Sequence, residues 1–66
     1  MENRIQEFRE KKHWRQKDLA EMLKVSRQTI ISIESGRYNP SLELAFKIGK
    51  IFNEPIEKIF LFDYEP

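Results

Sequence analysis

Residues 16–36 read QKDLAEMLKVSRQTIISIESG, and the rest of the chain must be arranged around them. The stretch divides into two short amphipathic runs with only a few residues between them, too few for two helices to lie antiparallel along their full lengths. The two helices must therefore cross at a steep angle. Leu19, Ala20 and Leu23 share one face of the first run, Val25 falls in the connection, and Ile30 and Ile33 repeat at a three-residue step in the second, which is helical spacing. One core accounts for all of these positions. Ser26 is suited to cap the second helix with its side-chain oxygen, and Gly36 supplies a position beyond the last turn that tolerates positive φ.

The chain has 66 residues, enough for one domain, and a domain of this size buries only about 60% of the surface its unfolded form exposes. A marginal core is expected, which leaves room for self-association to add stability. The absence of cysteine excludes disulfides, thiolate metal sites and cysteine nucleophiles together. With no signal-like segment and no long apolar run, the expectation is a soluble cytoplasmic protein with no membrane partner. The net charge of +1 is unevenly spread: residues 9–37 carry +4, and residues 38–66 carry −2. The positive part coincides with the central motif. At the start of its second run, Arg27, Gln28 and Thr29 present a cation, an amide and a hydroxyl, the groups that read base edges. Together these features describe a helix-turn-helix whose recognition helix spans residues 27–35.

Outward from the motif, residues 3–12 read as a first helix with Ile5 and Phe8 facing inward and Arg9 beside that stripe. Trp14 is placed to pack onto Leu19 as a hydrophobic staple. Arg15 stands at the N-cap of the second helix, residues 16–23, where it cannot accept backbone N–H bonds; Asp18 in the first turn offsets part of that loss. Residues 37–41 form a turn around Pro40, and Ser41 caps a fourth helix over residues 42–52 that buries Leu44, Ala45, Ile48 and Phe52. Gly49 inside it costs roughly 1 kcal/mol relative to alanine, which suggests a close approach by a neighbouring helix. Asn53 is suited to end this helix in the left-handed conformation. Pro55 opens a short fifth helix with Ile56, Ile59 and Phe60 toward the core, and residues 61–64 change to a period of two, as an extended segment does. The expected fold class is all-α, five helices in one domain over residues 1–66, with room for a short terminal β-strand pair.

The residues REKKHWRQKDLAEMLKVSRQTIISIESGRYNPSLELAFKIGKIF at 9–52, followed by PIEKIF at 55–60, resemble the Cro/repressor-type helix-turn-helix proteins, the XRE family of prokaryotic regulators. The likeness is to small stand-alone members, and it implies a five-helix, lambda-repressor-like DNA-binding domain that acts as a homodimer. The resemblance further implies that Gln16, first in the second helix, binds a phosphate beside the half-site. It implies that Arg27, Gln28, Thr29 and Ser32 read base edges, and that Arg37, Tyr38, Asn39 and Ser41 approach backbone phosphates. It also implies an internal ion pair between Arg9 and Glu34. Two positions depart from the family pattern. Lys24 stands where a left-handed glycine is common, and Arg15 replaces a capping serine or threonine, as if the cap were exchanged for a phosphate contact.

Arg27 can bond guanine O6 and N7 together, and Gln28 can do likewise with adenine N6 and N7. Ile31 stands between two inward-facing isoleucines and is expected to project outward toward a thymine methyl. Arg15 and Lys17 join Gln16 and Arg37 as expected phosphate contacts that position without specifying sequence. Phe46, Ile51, Ile56, Phe60, Phe62 and Tyr64 carry more apolar surface than a small monomer easily covers, and suggest a two-fold dimer interface. The leading function is a sequence-specific regulator of double-stranded DNA, most simply a repressor occupying a near-palindromic operator. The alternative is an antitoxin-like module whose main ligand is a partner protein. His13, Ser26 and Asp18 are residue types a hydrolase uses, but nothing resembling an oxyanion hole accompanies them, and no enzyme activity, metal, cofactor or small-molecule ligand is expected.

Overall fold

The computed structural model describes residues 1–63. Its elements run β1 (Glu2–Asn3), α1 (Ile5–Lys11), α2 (Gln16–Leu23), α3 (Arg27–Glu34), α4 (Leu42–Phe52), α5 (Ile56–Ile59) and β2 (Phe60–Leu61). The two strands pair antiparallel, Glu2 opposite Leu61 and Asn3 opposite Phe60. Helices α2 and α4 have the bounds that periodicity and capping predict, while α3 stops at Glu34 with Ser35 as its cap. At the amino end the expectation of a helix from residue 3 is corrected. Asn3 belongs to a strand, and its Oδ1 accepts the Ile5 N–H at 3.2 Å, so the helix begins only after it. The extended tail likewise starts at Phe60, one residue early, because β1 is there to pair with it.

The first four helices end in the same way, and these endings set the directions in which the chain turns. Past α1, the His13 and Trp14 N–H groups reach the Glu10 and Arg9 carbonyls at 3.0 and 3.1 Å. Past α2, Lys24 and Val25 reach Glu21 and Ala20 at 3.2 and 3.0 Å; past α3, Gly36 and Arg37 reach Ile33 and Ser32 at 3.0 and 3.1 Å; past α4, Asn53 and Glu54 reach Lys50 and Gly49 at 3.2 and 3.0 Å. Each is a Schellman closure, which satisfies orphan carbonyls and requires one residue in the left-handed region. Those residues are His13, Lys24, Gly36 and Asn53, with φ of 59°, 58°, 83° and 55°. Only one is glycine. His13 therefore has a backbone role that its side-chain chemistry did not suggest.

The core is aliphatic at its centre. Ile5, Leu19, Ile30, Ile33, Ile48 and Ile59 are fully buried, each contributing about 1.5–3 kcal/mol relative to exposure. Phe8, Trp14, Val25, Leu44, Ile51 and Phe60 pack around that centre. Trp14, expected to staple onto Leu19, has Phe52 as its ring partner, stacked at 5.7 Å between centroids, and Phe8 approaches the same ring at 5.8 Å. Gly49 is buried where the α4–α5 connection folds back: a Cβ there would stand 3.0 Å from the Glu54 carbonyl oxygen and 3.2 Å from Ile56 Cγ2. The close neighbour is thus the connection and the first residue of α5. Ile56, expected to face the core, is only half-buried. Among the described residues no helix is long and apolar enough to cross a membrane.

A lysine in the left-handed region carries strain that glycine does not, partly offset by the greater entropy glycine loses on folding. Lys24→Gly is expected to raise stability by about 0.5–1 kcal/mol, read as a shift in the urea midpoint at unchanged slope.

Candidate nucleic-acid interface

The turn between α2 and α3 is built to expose one side of α3 and anchor the other. Ser26 caps the helix, its Oγ accepting the Thr29 N–H at 3.1 Å and lying 3.0 Å from the Thr29 hydroxyl. Ile30 and Ile33 fix the inner stripe in the core, and Arg27 and Gln28 are exposed on the first turn. Thr29 and Ser32 are half-buried. Ile31 is half-buried as well, not fully outward as expected. The Ser32 carbonyl accepts the Arg37 and Tyr38 N–H groups at 3.1 and 3.2 Å and so folds the following turn back onto α3. Arg37, Tyr38, Asn39 and Ser41 are all exposed on that turn, and Ser41 Oγ also caps α4 by accepting the Leu44 N–H at 3.2 Å.

Beneath this surface lies a buried ion pair. Arg9 Nε donates to Glu34 Oε2 at 2.8 Å and Nη2 to Oε1 at 3.3 Å, while Nη1 donates to the Trp14 carbonyl at 2.8 Å. The two side chains are only 10% and 6% exposed. Gln16 Nε2 donates to Glu34 Oε1 at 3.1 Å, so its amide is turned inward and only its remaining polar capacity faces outward. Arg15 is exposed but engaged: Nε and Nη2 bond the Asp18 carboxylate at 3.2 Å each, and its backbone N–H donates to Asp18 Oδ2 at 2.8 Å. The Arg15 guanidinium, followed by that backbone N–H, holds the Asp18 carboxyl below its usual range. Just before α1, Arg4 likewise lowers the Glu7 carboxyl through a side-chain hydrogen bond.

The distribution of unpaired cations is more informative than net charge. Among the described residues Lys11, Lys47 and Lys58 are each paired with a carboxylate four residues earlier, Glu7, Glu43 and Glu54, at 3.7, 3.3 and 3.9 Å. Lys12, Lys17, Lys24, Arg27, Arg37 and Lys50 make no such pair, and all but Lys50 fall within residues 9–37. Lys12 was not among the residues singled out from sequence. Its ammonium sits 5.5 Å over the Trp14 ring, brought there by the left-handed turn at His13. The hydrolase-type residues do not assemble: the hydrogen bonds of Ser26 and Asp18 go to Thr29 and Arg15. No group of three His, Cys, Asp or Glu residues is placed to hold a metal among the described residues.

The residues expected at a dimer interface fall on several grooves, one of which, of about 440 Å³, brings Phe46 and Ile56 together beside Gly49, Lys50 and Pro55. Ile56, Phe60 and Phe62 line one of about 390 Å³ with Met1, Pro40 and Leu42. Phe46 and Ile51 line another of about 430 Å³ with Met22, Lys47 and Lys50. Phe62, Leu42 and Phe46 are 70%, 68% and 53% exposed, whereas Ile51 is half-buried against the core. Leu42 was overlooked because it lies just past the Ser41 cap, off the inward spacing of α4. Tyr64 lies outside the described residues.

A family model described as helix-turn-helix matches residues 5–59. The chain is 52% identical over 65 residues to an uncharacterized HTH-type transcriptional regulator of Archaeoglobus fulgidus, covering 98% of this chain and 92% of that one. A protein of the same description from Methanocaldococcus jannaschii is 52% identical over 63 residues, 96% of each chain. One from Bacillus subtilis is 42% identical over 65 residues, 98% of each.

Removing one partner of a buried ion pair leaves the other without a counter-charge, whereas replacing both with apolar groups does not. Glu34→Gln is expected to lower unfolding free energy by about 3 kcal/mol, and the double replacement Arg9→Met, Glu34→Leu to recover most of that loss in the same urea titration. The depressed Asp18 carboxyl gives a pH signature of defined sign: its stabilisation is present above the ordinary aspartate range and disappears as pH falls through the folded value. The melting-temperature gap between wild type and Asp18→Asn should therefore be open at about pH 6 and close by about pH 2.

Proposed function

The chain belongs to the helix-turn-helix family of DNA-binding transcriptional regulators, and from that premise we propose that it is a sequence-specific repressor that binds double-stranded DNA as a homodimer. The observation that carries this reading is the two-sided condition of α3. Ile30 and Ile33 anchor its inner side, while Arg27 and Gln28 stand exposed and unused at its amino end. Laid in a major groove, that end brings Arg27 to a guanine and Gln28 to an adenine, each good pair discriminating by about 1–3 kcal/mol. Thr29, Ile31 and Ser32, half-buried on the same helix, contribute at the margin of the contact. Lys17, Arg37, Tyr38, Asn39 and Ser41, with Arg15 and Gln16 through what their internal bonds leave free, hold the duplex by its phosphates.

Such a protein represses most simply by occupying a promoter. The exposed apolar groove of Leu42, Ile56, Phe60 and Phe62 is the surface that a second copy would cover. A two-fold dimer sets its recognition helices about 34 Å apart, one turn of B-DNA, and so calls for a near-palindromic operator. The groove around Met22 and Phe46 favours an additional reading in which a partner protein docks beside the dimer, as it would in an antitoxin-like module.

Binding-site selection from random duplexes tests the assignment. Arg27→Ala is expected to relax preference at one base pair, whereas Arg37→Ala weakens every site alike and lowers the salt slope by about one. Selection of the wild-type motif with undiminished strength by both variants would reject these roles.

A further inference from the structure

Residues 1–3 touch both surfaces that the proposed function requires. On one side Asn3 pairs with Phe60 in the two-stranded sheet, the Arg4 N–H donates to the Ile59 carbonyl at 2.7 Å, and Met1 lines the apolar groove with Leu42 and Phe62. On the other side the same residues reach the end of α3. Asn3 Nδ2 donates to the Ile33 carbonyl at 2.8 Å, and the Met1 nitrogen to the Gly36 carbonyl at 3.2 Å. Gly36 is packed so closely that an added Cβ would lie 3.3 Å from the Met1 carbonyl oxygen.

The Asn3 bond is not needed to complete α3. The Ile33 carbonyl already accepts the Gly36 N–H at 3.0 Å, so what the side-chain amide adds is a tie between strand and helix. The Asn3 Oδ1 is used at the same time, accepting the first N–H of α1. One amide, its oxygen accepting and its nitrogen donating, therefore spans the start of α1 and the close of α3. Arg37 and Tyr38 follow immediately, their N–H groups bound to Ser32 one residue before Ile33.

We propose that Asn3 is a positioning residue for DNA recognition: its amide couples the strand pair, and with it the association of two copies, to the placement of α3 and the Arg37–Tyr38 turn. This rests on the DNA-binding, dimeric reading above. Association that tightens β1 against β2 tightens the hold on Ile33, and the phosphate-contacting turn is fixed as a result. Binding of DNA and of a second copy then favour each other, as linkage requires.

Asn3→Ser isolates the link, because its hydroxyl oxygen can still accept the Ile5 N–H two residues on, is too short to reach the Ile33 carbonyl, and adds no charge that would itself weaken DNA binding. With folding verified by circular dichroism, its affinity for the duplex selected by wild type should fall about tenfold, with a smaller salt slope and unchanged preference at the Arg27 base pair. Loss confined to thermal stability, with affinity and slope as in wild type, overturns the proposal while leaving DNA binding intact. Wild-type protein that selects no duplex overturns both. Amide exchange on wild type without DNA decides the matter if the variant does not fold. The Gly36, Arg37 and Tyr38 amides should slow as protein concentration rises through the dimer midpoint, and exchange independent of concentration refutes the coupling.

Discussion

The interaction on which this arrangement depends most is the buried pairing of Arg9 with Glu34. A domain of this size has too little interior for aliphatic packing alone to set the rotation of a two-turn helix. Isoleucines at the inner stripe of α3 bury well at several rotations. A bidentate guanidinium–carboxylate contact does not tolerate such freedom, because both hydrogen bonds must be aligned together. Arg9 spends its remaining donor group on the Trp14 carbonyl, and Glu34 accepts a further bond from Gln16. The end of α1, the turn after it, the start of α2 and the end of α3 are thereby joined at one point. As a source of net stability such a pair is weak, since desolvation offsets most of its attraction; as a constraint on geometry it is strong.

Around that point the short helices are directed by their endings. Four Schellman closures among the described residues mean that each of the first four helices runs out into a hydrogen-bonded turn. Three of the four left-handed positions are occupied by His13, Lys24 and Asn53, so this rigidity is obtained against local strain. The strain is tolerable because the carbonyls these closures satisfy would otherwise be orphaned at helix ends packed against a neighbour. Their consequence for the site is direct. The turn at Lys24 sets the crossing of α2 and α3, and the turn at Gly36 folds Arg37 and Tyr38 back onto the Ser32 carbonyl of α3.

Electrostatically the molecule is sorted, although its net charge is small. Nearby carboxylates neutralise Lys11, Lys47 and Lys58, and of the cations left over all but Lys50 fall in or beside the helix-turn-helix. Such a surface can draw a polyanion to one side without giving the whole protein a large charge. The apolar grooves draw mainly on α4, α5 and the strand pair, and the one lined by Phe60 and Phe62 meets the exposed turn after α3 at Asn39 and Pro40.

Much of the local structure was legible in the sequence, for reasons that are themselves local. The bounds of α2 and α4, the Ser26 and Ser41 caps, and the left-handed positions at Gly36 and Asn53 all follow from periodicity and capping within a few residues, whereas that at Lys24 was suggested by likeness to a family. The link between Arg9 and Glu34 is different in kind: 25 positions separate them, and only likeness to a family suggested it. What tertiary structure alone decided involves partners far apart along the chain. Two residues of strand carry no pattern of their own, so β1 exists because Phe60 and Leu61 arrive beside it. Gln16 turns inward because Glu34 is there to receive its amide. Phe46 of α4 and Ile56 of α5 line one groove because the connection between the two helices folds back over Gly49. Spacing determines which side of a helix is apolar; which neighbour that side meets is settled only when the whole chain has closed, because burial and hydrogen-bond satisfaction are properties of the assembled interior.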